Sequence, residues 1–187
     1  MKRIGDIYCK IIDKNNIRQA ILNASKGKRK RANVTRIIEN EVYYTELLHQ
    51  KLKNKTFEPS KYEKIKIQDG VRKKERIIFK PAFYPDEVVH WALIQQIEPI
   101  IMRGMYEFCC GSIKGRGIMH GMKYLKKILI RDRKNTKYCL KLDVKKFYPS
   151  INQNVLKRKF MRIIKDRYTL DLIDKIIDSG ESGLPIR

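Results

Sequence analysis

The sequence has few acidic residues for its size. It contains 20 Asp and Glu against 43 Lys and Arg, which gives a formal net charge of +23. Such a field attracts polyanions, and each phosphate that a cation neutralises releases counterions. We therefore predict nucleic acid as the leading class of partner, with an anionic membrane surface as the second.

Long hydrophobic runs are also missing. No stretch approaches the roughly 18 apolar residues of a membrane-spanning helix. The N-terminal residues Met1-Lys-Arg-Ile-Gly-Asp6 lack the apolar core of an export signal. We therefore expect a cytoplasmic protein and, of the two partner classes, predict nucleic acid and no membrane.

Cysteine and histidine are too sparse and too scattered for a familiar metal site. None of the cysteines stands in a C-x-x-C pair, and the histidines lie far apart in the sequence. The pattern favours buried, reduced thiols over a zinc knuckle or disulfides. The residues concerned are Cys9, Cys109, Cys110, Cys139, His49, His90 and His120.

The hydrophobic fraction of 42% is enough for a core, and its periodicity predicts a helix-rich α+β fold. A single alternating region interrupts the helices: residues 61–68 and 75–79 flank Asp69-Gly70, a strong turn signal, and predict a β-hairpin. Pro99 is expected to end or kink the helix that begins near Asp86, and Trp91 within that helix is expected in the core. The other predicted helices are 16–26, one from Asn33 or Thr35 to Asn54, 118–131, 152–165 and 169–177.

Two basic segments are candidate phosphate contacts. The first is the loop Lys28-Arg29-Lys30-Arg31, for which a solvated loop is the alternative. The second is the predicted hairpin, whose two strands hold several cations at fixed separation. Protection of a sheet edge by lysines is the alternative there. The hairpin cations are Lys64, Lys66, Arg72, Lys73, Lys74 and Arg76.

A glycine-rich loop, Gly111 to Gly117, precedes the predicted helix at Ile118. Glycines before a helix let backbone amides approach an anion, although the spacing matches neither common phosphate-binding motif. Lys114 and Arg116 are candidate contacts to a phosphate backbone, and capping of the loop is the alternative for Arg116.

One stretch carries a candidate catalytic group. Residues Tyr138 to Leu142 are predicted to form a short strand that ends at Asp143, and Phe147 and Tyr148 follow. An acid at a strand end with an aromatic residue five positions later is the arrangement with which a polymerase palm holds a metal and a sugar. The alternative is an ordinary buried strand that runs into a turn.

Taken in order, these segments resemble the reverse transcriptases of bacterial retroelements, of the group II intron and diversity-generating types. The resemblance spans about residue 16 to the last residue. The sequence Gly183-Leu-Pro-Ile186 is more similar to the diversity-generating type. The matching segments are Lys28–Arg31 with the helix after it, Thr56–Tyr62, Arg76–Pro81, Asp86–Leu93, Glu98–Ile100, Gly111–His120, Lys141–Ile151 and Gly183–Ile186.

The resemblance implies a site for each part of a template-directed polymerase. Asp143 would be a catalytic ligand of Mg²⁺ with the Val144 carbonyl beside it. Tyr148 would lie under the incoming dNTP sugar and exclude a 2′-hydroxyl, and Arg76, with Lys73 or Arg72, would reach the triphosphate. The contacts to RNA template and DNA primer would come from Lys28, Arg29, Lys30, Arg31, Lys64, Lys66, Lys114 and Arg116.

The same resemblance implies three segments: a helical N-terminal extension (1–60), fingers (61–136) and an incomplete palm (137–187). The implied origin is a bacterium or phage, with an accessory protein of the retroelement as a further partner. An incomplete palm sheet would leave the strand at Tyr138–Leu142 with an unpaired edge, which invites self-association.

The chain departs from this family in one respect that matters for chemistry. It contains no Tyr-x-Asp-Asp and no Asp-Asp pair, and Arg187 stands where the family's next motif has glycine. A single carboxylate leaves a two-metal site short of ligands, so we expect no polymerisation by this chain alone. The missing motif indicates a designed fragment, a frameshifted or truncated gene, or an incomplete reading frame. The alternatives are a non-catalytic RNA-binding module derived from a reverse transcriptase and a basic structural protein.

Overall fold

The computed structural model describes residues 2–69, 74–180 and 183–184. The chain divides into two compact units. The first contains Met1–Glu98 and Lys146–Arg187, and the second contains Pro99–Lys145. The fold is α+β, with helices through most of the described chain and one two-stranded sheet. The division into extension, fingers and palm remains a prediction from the resemblance.

Four helices open the first unit: α1 (Tyr8–Ile11), α2 (Lys14–Ser25), α3 (Ala32–Glu39) and α4 (Glu41–Lys53). Asp13 caps α2, because its Oδ1 accepts from the amide of Asn15 at 2.9 Å and from that of Asn16 at 3.2 Å. The prediction of α2 is confirmed with a start two residues earlier. The single helix predicted to reach Asn54 is wrong, because Asn40, at φ −112° and ψ 36°, leaves helical geometry between α3 and α4.

The core of the first unit lies where α2 packs on α4. Ile17, Ile21, Leu48 and Leu52 are completely buried there. The helical spacing of these residues puts one apolar stripe on each helix, and each stripe covers the other. Removing this surface from water is the main stabilising contribution to the unit.

The predicted hairpin is confirmed. Strand β1 (Glu63–Asp69) pairs antiparallel with β2 (Lys74–Lys80), in a register that places Glu63 opposite Lys80 and Ile67 opposite Arg76. The predicted turn at Gly70, together with Arg72 and Lys73, lies outside the described residues.

A kinked segment, Phe83–Glu87, in which Tyr84 is extended (φ −128°, ψ 131°), leads from β2 into α5 (Val88–Met102). Val88, Val89 and Ala92 are buried, but Trp91 is 40% exposed, so its prediction as a core residue is wrong. The helix continues through Pro99, which therefore does not end it. An apolar pattern all around a helix shows that it can be buried, not which side will be covered.

The two ends of the first unit meet through backbone hydrogen bonds. The Ile4 amide donates to the Ile163 carbonyl and the Lys165 amide to the Ile4 carbonyl, both at 2.8 Å. Helices α8 (Gln153–Ile163) and α9 (Arg167–Asp178) flank this contact and confirm the two predicted C-terminal helices. Asn152 caps α8 as predicted, accepting from the Val155 amide at 3.1 Å.

In the second unit, α6 (Ile118–Arg131) has the predicted bounds, yet none of its residues is buried. The predicted strand Tyr138–Leu142 is wrong. Tyr138 is 95% exposed, and among the described residues no strand pairs with this segment. A short apolar segment forms a strand only where another strand supplies hydrogen bonds.

Cysteine burial also differs from expectation. Cys9 and Cys139 are exposed, while Cys109 and Cys110 are partly covered, and all four are free thiols. Within the described ranges, no helix is long and apolar enough to cross a bilayer.

Candidate nucleic-acid interface

The basic loop between α2 and α3 is held in a defined shape. Gly27 has φ +73°, a conformation that favours glycine, and the hydroxyl of Thr35 donates to the Arg29 carbonyl at 2.8 Å. Lys28 Nζ lies 2.5 Å from Glu87 Oε2, so this cation is already paired. Arg29, Lys30 and Arg31 are exposed. Lys28 therefore differs from Arg29, Lys30 and Arg31 in its ion pair, and contact of all four residues with nucleic acid remains a prediction.

The hairpin presents Lys64 and Lys66 two residues apart on β1, and both side chains are exposed. Residues at this spacing lie on the same face of a strand. At the base of the hairpin, Lys80 Nζ pairs with Glu63 Oε2 at 3.1 Å. The Arg76 backbone lies in β2, but its side chain is outside the described part of the chain.

The base of the hairpin and the start of α3 enclose a cleft of about 450 Å³, which we call the α3–hairpin cleft. It joins the two basic segments, because Arg31 comes from the loop and Lys61 from the residues before β1. Arg36 on α3 adds a third cation. The lining residues are Arg31, Asn33, Val34, Arg36, Ile37, Tyr44, Lys61, Glu63, Lys80, Pro81, Ala82, Phe83, Tyr84 and Glu87.

The charges in the α3–hairpin cleft are not balanced. Its two acids, Glu63 and Glu87, each pair with a lysine. Arg31, Arg36 and Lys61 form no ion pair with a carboxylate of the described residues. Three positive charges therefore face a partly enclosed space, where a phosphate is attracted more strongly than in open solvent.

One wall of the cleft is aromatic. The rings of Tyr44 and Tyr84 meet edge to face, with centroids 4.9 Å apart, and the Tyr84 hydroxyl donates to the Tyr44 carbonyl at 2.9 Å. Burial, followed by the neighbouring tyrosines, raises the pKa of Tyr84 far above its ordinary value. Tyr84 therefore remains a neutral ring across the physiological pH range.

Sequence reasoning missed three residues of this site: Arg36, Lys61 and Tyr84. Each stands near a predicted basic segment, but Arg36 was assigned only to a helix and Lys61 only to an alternating strand. No local pattern brings these positions together, since α3 and the hairpin are separated by the whole of α4.

In the second unit, the glycine-rich loop is closed on itself. Gly115 has φ +79°, and Ile113 and Arg116 bridge across the turn. Arg116 Nη1 donates to the Tyr106 carbonyl at 3.3 Å, which supports its role in capping the loop. Lys114 is exposed.

The predicted catalytic segment has no regular partner. Asp143 and Val144 are exposed in irregular backbone of the second unit. Among the described residues, no group of three or more His, Cys, Asp or Glu side chains is arranged to hold a metal ion. The described residues therefore do not by themselves fit a Mg²⁺ centre.

Tyr148 belongs to the first unit, in the short helix α7 (Phe147–Ser150). Its ring meets that of Phe147 edge to face at 5.4 Å, and its carbonyl accepts from the Leu184 amide at 2.9 Å. Gln153 Nε2 fixes the same C-terminal segment by donating to the Gly183 carbonyl at 2.9 Å. The two segments that carry the palm resemblance within this unit therefore touch.

Comparison with known proteins adds no relative to this picture. No protein-family model matches the chain, and no curated protein matches it significantly.

Proposed function

We propose that this chain is the fingers and part of the palm of an RNA-directed DNA polymerase, and that these residues bind RNA without extending a primer. The observation that carries the proposal is the α3–hairpin cleft, where two basic segments far apart in sequence present unpaired cations together. In the proposed parent enzyme, Mg²⁺ would support dNTP addition, with Asp143 as one metal ligand and Tyr148 under the sugar.

Three features support RNA as the ligand. The net charge of +23 favours a polyanion. The hairpin and the basic loop offer cations on ordered backbone, and Tyr84 offers a neutral ring beside them. The matching segments of the reverse-transcriptase resemblance include both sides of this cleft. A cytoplasmic, bacterial or phage setting follows from the same resemblance.

The first experiment is RNA binding by the whole chain at several salt concentrations. We expect affinity to fall steeply with salt, because each phosphate contact with a single strand contributes about 0.7 to the slope of log K against log salt. Affinity that is independent of salt would contradict nucleic-acid binding through these cations.

The second experiment is extension of a primed RNA template with Mg²⁺ and dNTPs. We expect no product, because the sequence contains no Tyr-x-Asp-Asp. Extension that Asp143→Ala abolishes would overturn the claim of inactivity.

A second candidate function is a non-catalytic RNA-binding module. The exposure of Asp143, and the lack of metal-binding clusters in the described ranges, favour it. The two candidates differ in one measurement: adding a separately expressed polypeptide that carries a Tyr-x-Asp-Asp palm hairpin would restore extension only for a polymerase component.

A further inference from the structure

We propose that the α3–hairpin cleft binds one nucleotide of a single-stranded nucleic acid, with its phosphate against Arg31, Arg36 and Lys61 and its base against Tyr84. This inference rests on the proposed function, since it names the strand type and the subsite of the same RNA-binding surface. It does not require that the chain polymerise.

The charges define the phosphate end of the subsite. Arg36 is exposed on α3, and Lys61 is exposed before β1. The guanidinium group of Arg36 and the ammonium group of Lys61 are therefore accessible to a ligand. Glu63 and Glu87 do not oppose an anion, because Lys80 and Lys28 neutralise them. An arginine also offers planar donors that match two phosphate oxygens at once.

The aromatic wall defines the base end. Tyr84 is fixed by its hydrogen bond to Tyr44 and by the edge-to-face contact of the two rings, so its orientation does not depend on the ligand. A fixed neutral ring beside cations is the arrangement with which proteins bind single strands, because every base has a face that stacks.

The size of the cleft selects the strand type. Its volume of about 450 Å³ is within the range, about 300 to 1,000 Å³, of sites that enclose one small molecule. A paired base cannot enter such a site, because its partner and the second backbone would come with it. Double-stranded RNA would therefore meet only the exposed hairpin and loop cations.

The test compares a labelled oligouridylate with a blunt RNA duplex of the same length. We expect Arg36→Gln to weaken oligouridylate binding about tenfold, as expected for a lost charged hydrogen bond. The salt slope for the single strand should fall by about 0.7. Duplex affinity should stay at the wild-type value.

The matched control is Arg158→Gln on α8, an exposed arginine that does not line the cleft. Arg158→Gln removes one positive charge, as Arg36→Gln does. It should change neither the affinity for oligouridylate nor the affinity for the duplex. Lys61→Gln is a second test variant, and a thermal melt confirms that each variant is folded. For the base end, Tyr84→Leu should bind oligouridylate more weakly than the wild type, because it removes the ring on which a base stacks.

The outcomes separate this inference from the function on which it rests. Salt-dependent RNA binding that Arg36→Gln leaves unchanged, or weakens no more than Arg158→Gln does, overturns the subsite and leaves the proposed function intact. Equal weakening of single strand and duplex overturns the strand selectivity. If the wild type binds neither RNA, the proposed function fails and this inference fails with it.

A competition experiment distinguishes a strand-bound nucleotide from a free anion. Uridine monophosphate should displace oligouridylate more effectively than inorganic phosphate does, because only the nucleotide reaches the Tyr84 wall. Equal displacement by uridine monophosphate and by inorganic phosphate would show that the cleft binds only the anion. That result would overturn the placement of the base against Tyr84.

Discussion

Each of the two units of this protein contains amphipathic helices, but the apolar faces of these helices differ in burial. In the first unit, α2 and α4 cover each other, and Ile17, Ile21 and Leu48 are completely buried. In the second unit, α6 has a clear apolar face, yet Ile118 at its start is 82% exposed and no residue of the helix is buried. Amphipathic spacing therefore predicts that a helix forms, but burial requires a complementary face.

The largest expected effect on stability distinguishes the α2–α4 core from the exposed helix α6. Leu48→Ala, in the α2–α4 core, should lower the free energy of unfolding by about 3 kcal/mol, because it removes buried apolar surface and leaves a cavity. Leu125→Ala, on the exposed face of α6, should change it by less than about 0.5 kcal/mol. Denaturant unfolding measures both. Equal losses would show that α6 is covered in solution.

A second prediction concerns the contact that closes the first unit. Asp166 Oδ2 accepts from the Ile7 amide at 2.8 Å and from the Tyr8 amide at 2.7 Å, and its Oδ1 caps α9. Asp166→Ala should cost about 2 kcal/mol near neutral pH, because it leaves these amides without their acceptor.

The pH dependence of this contact follows from its pKa. Burial by itself raises the pKa of Asp166, but the hydrogen bonds from Tyr8, Ile7 and Thr169 outweigh burial and hold the pKa below its ordinary value. The contribution is therefore complete above the unfolded-state pKa and is lost as pH falls through the folded-state pKa. The difference in unfolding midpoint between wild type and variant should shrink in acid. A difference that is constant with pH would contradict this role.

A smaller effect on the free energy of unfolding is expected when a single methyl group is added at Gly183. Gly183 has φ +57°, and a Cβ there would clash with the backbone carbonyl oxygen of Tyr148. Gly183→Ala should cost about 1 to 2 kcal/mol, because an alanine is strained at this φ and meets backbone that cannot move freely. Gly111→Ala in the second unit is the control, since nothing lies within 4 Å of its Cβ position and its φ is not positive. Comparable melting temperatures for the two variants would refute the close contact.

A substitution in the segment 138–144 is expected to have the smallest effect on the free energy of unfolding. Its expected effect is on self-association instead. Leu140 is 82% exposed there beside other apolar side chains, and such segments promote self-association. Leu140→Gln should reduce concentration-dependent association in sedimentation velocity. Val42→Gln, at an exposed apolar position of α4, should leave association unchanged. A wild type that stays monomeric at high concentration would contradict the prediction.

Much of the local structure could be predicted from the sequence. The Asp69-Gly70 signal and the alternation around it were sufficient for the hairpin, and Asn152 marked the start of α8. The predicted strand at Tyr138–Leu142 was wrong, because a strand needs a neighbour that supplies hydrogen bonds, and a short local sequence does not show whether a neighbour is present. The break at Asn40 was missed, because the apolar stripe continues on both sides of it.

The candidate site likewise could be predicted only where it depends on local sequence. Arg31 and the hairpin lysines were recognisable as candidate phosphate contacts from their charge and spacing. Arg36 and Tyr84 were not, because their role depends on the distance between α3 and the residues after β2. The proposed catalytic residues Asp143 and Tyr148 remain predictions from the resemblance.

The sequence by itself determined the excess of positive charge, the positions of most helices and the hairpin, because these depend on composition and on contacts within a few residues. Only the tertiary structure decided which apolar faces are covered and which cations remain unpaired. Both depend on contacts between segments distant in the chain. The pairing of Lys28 with Glu87 and of Lys80 with Glu63 leaves Arg31, Arg36 and Lys61 to face the cleft together.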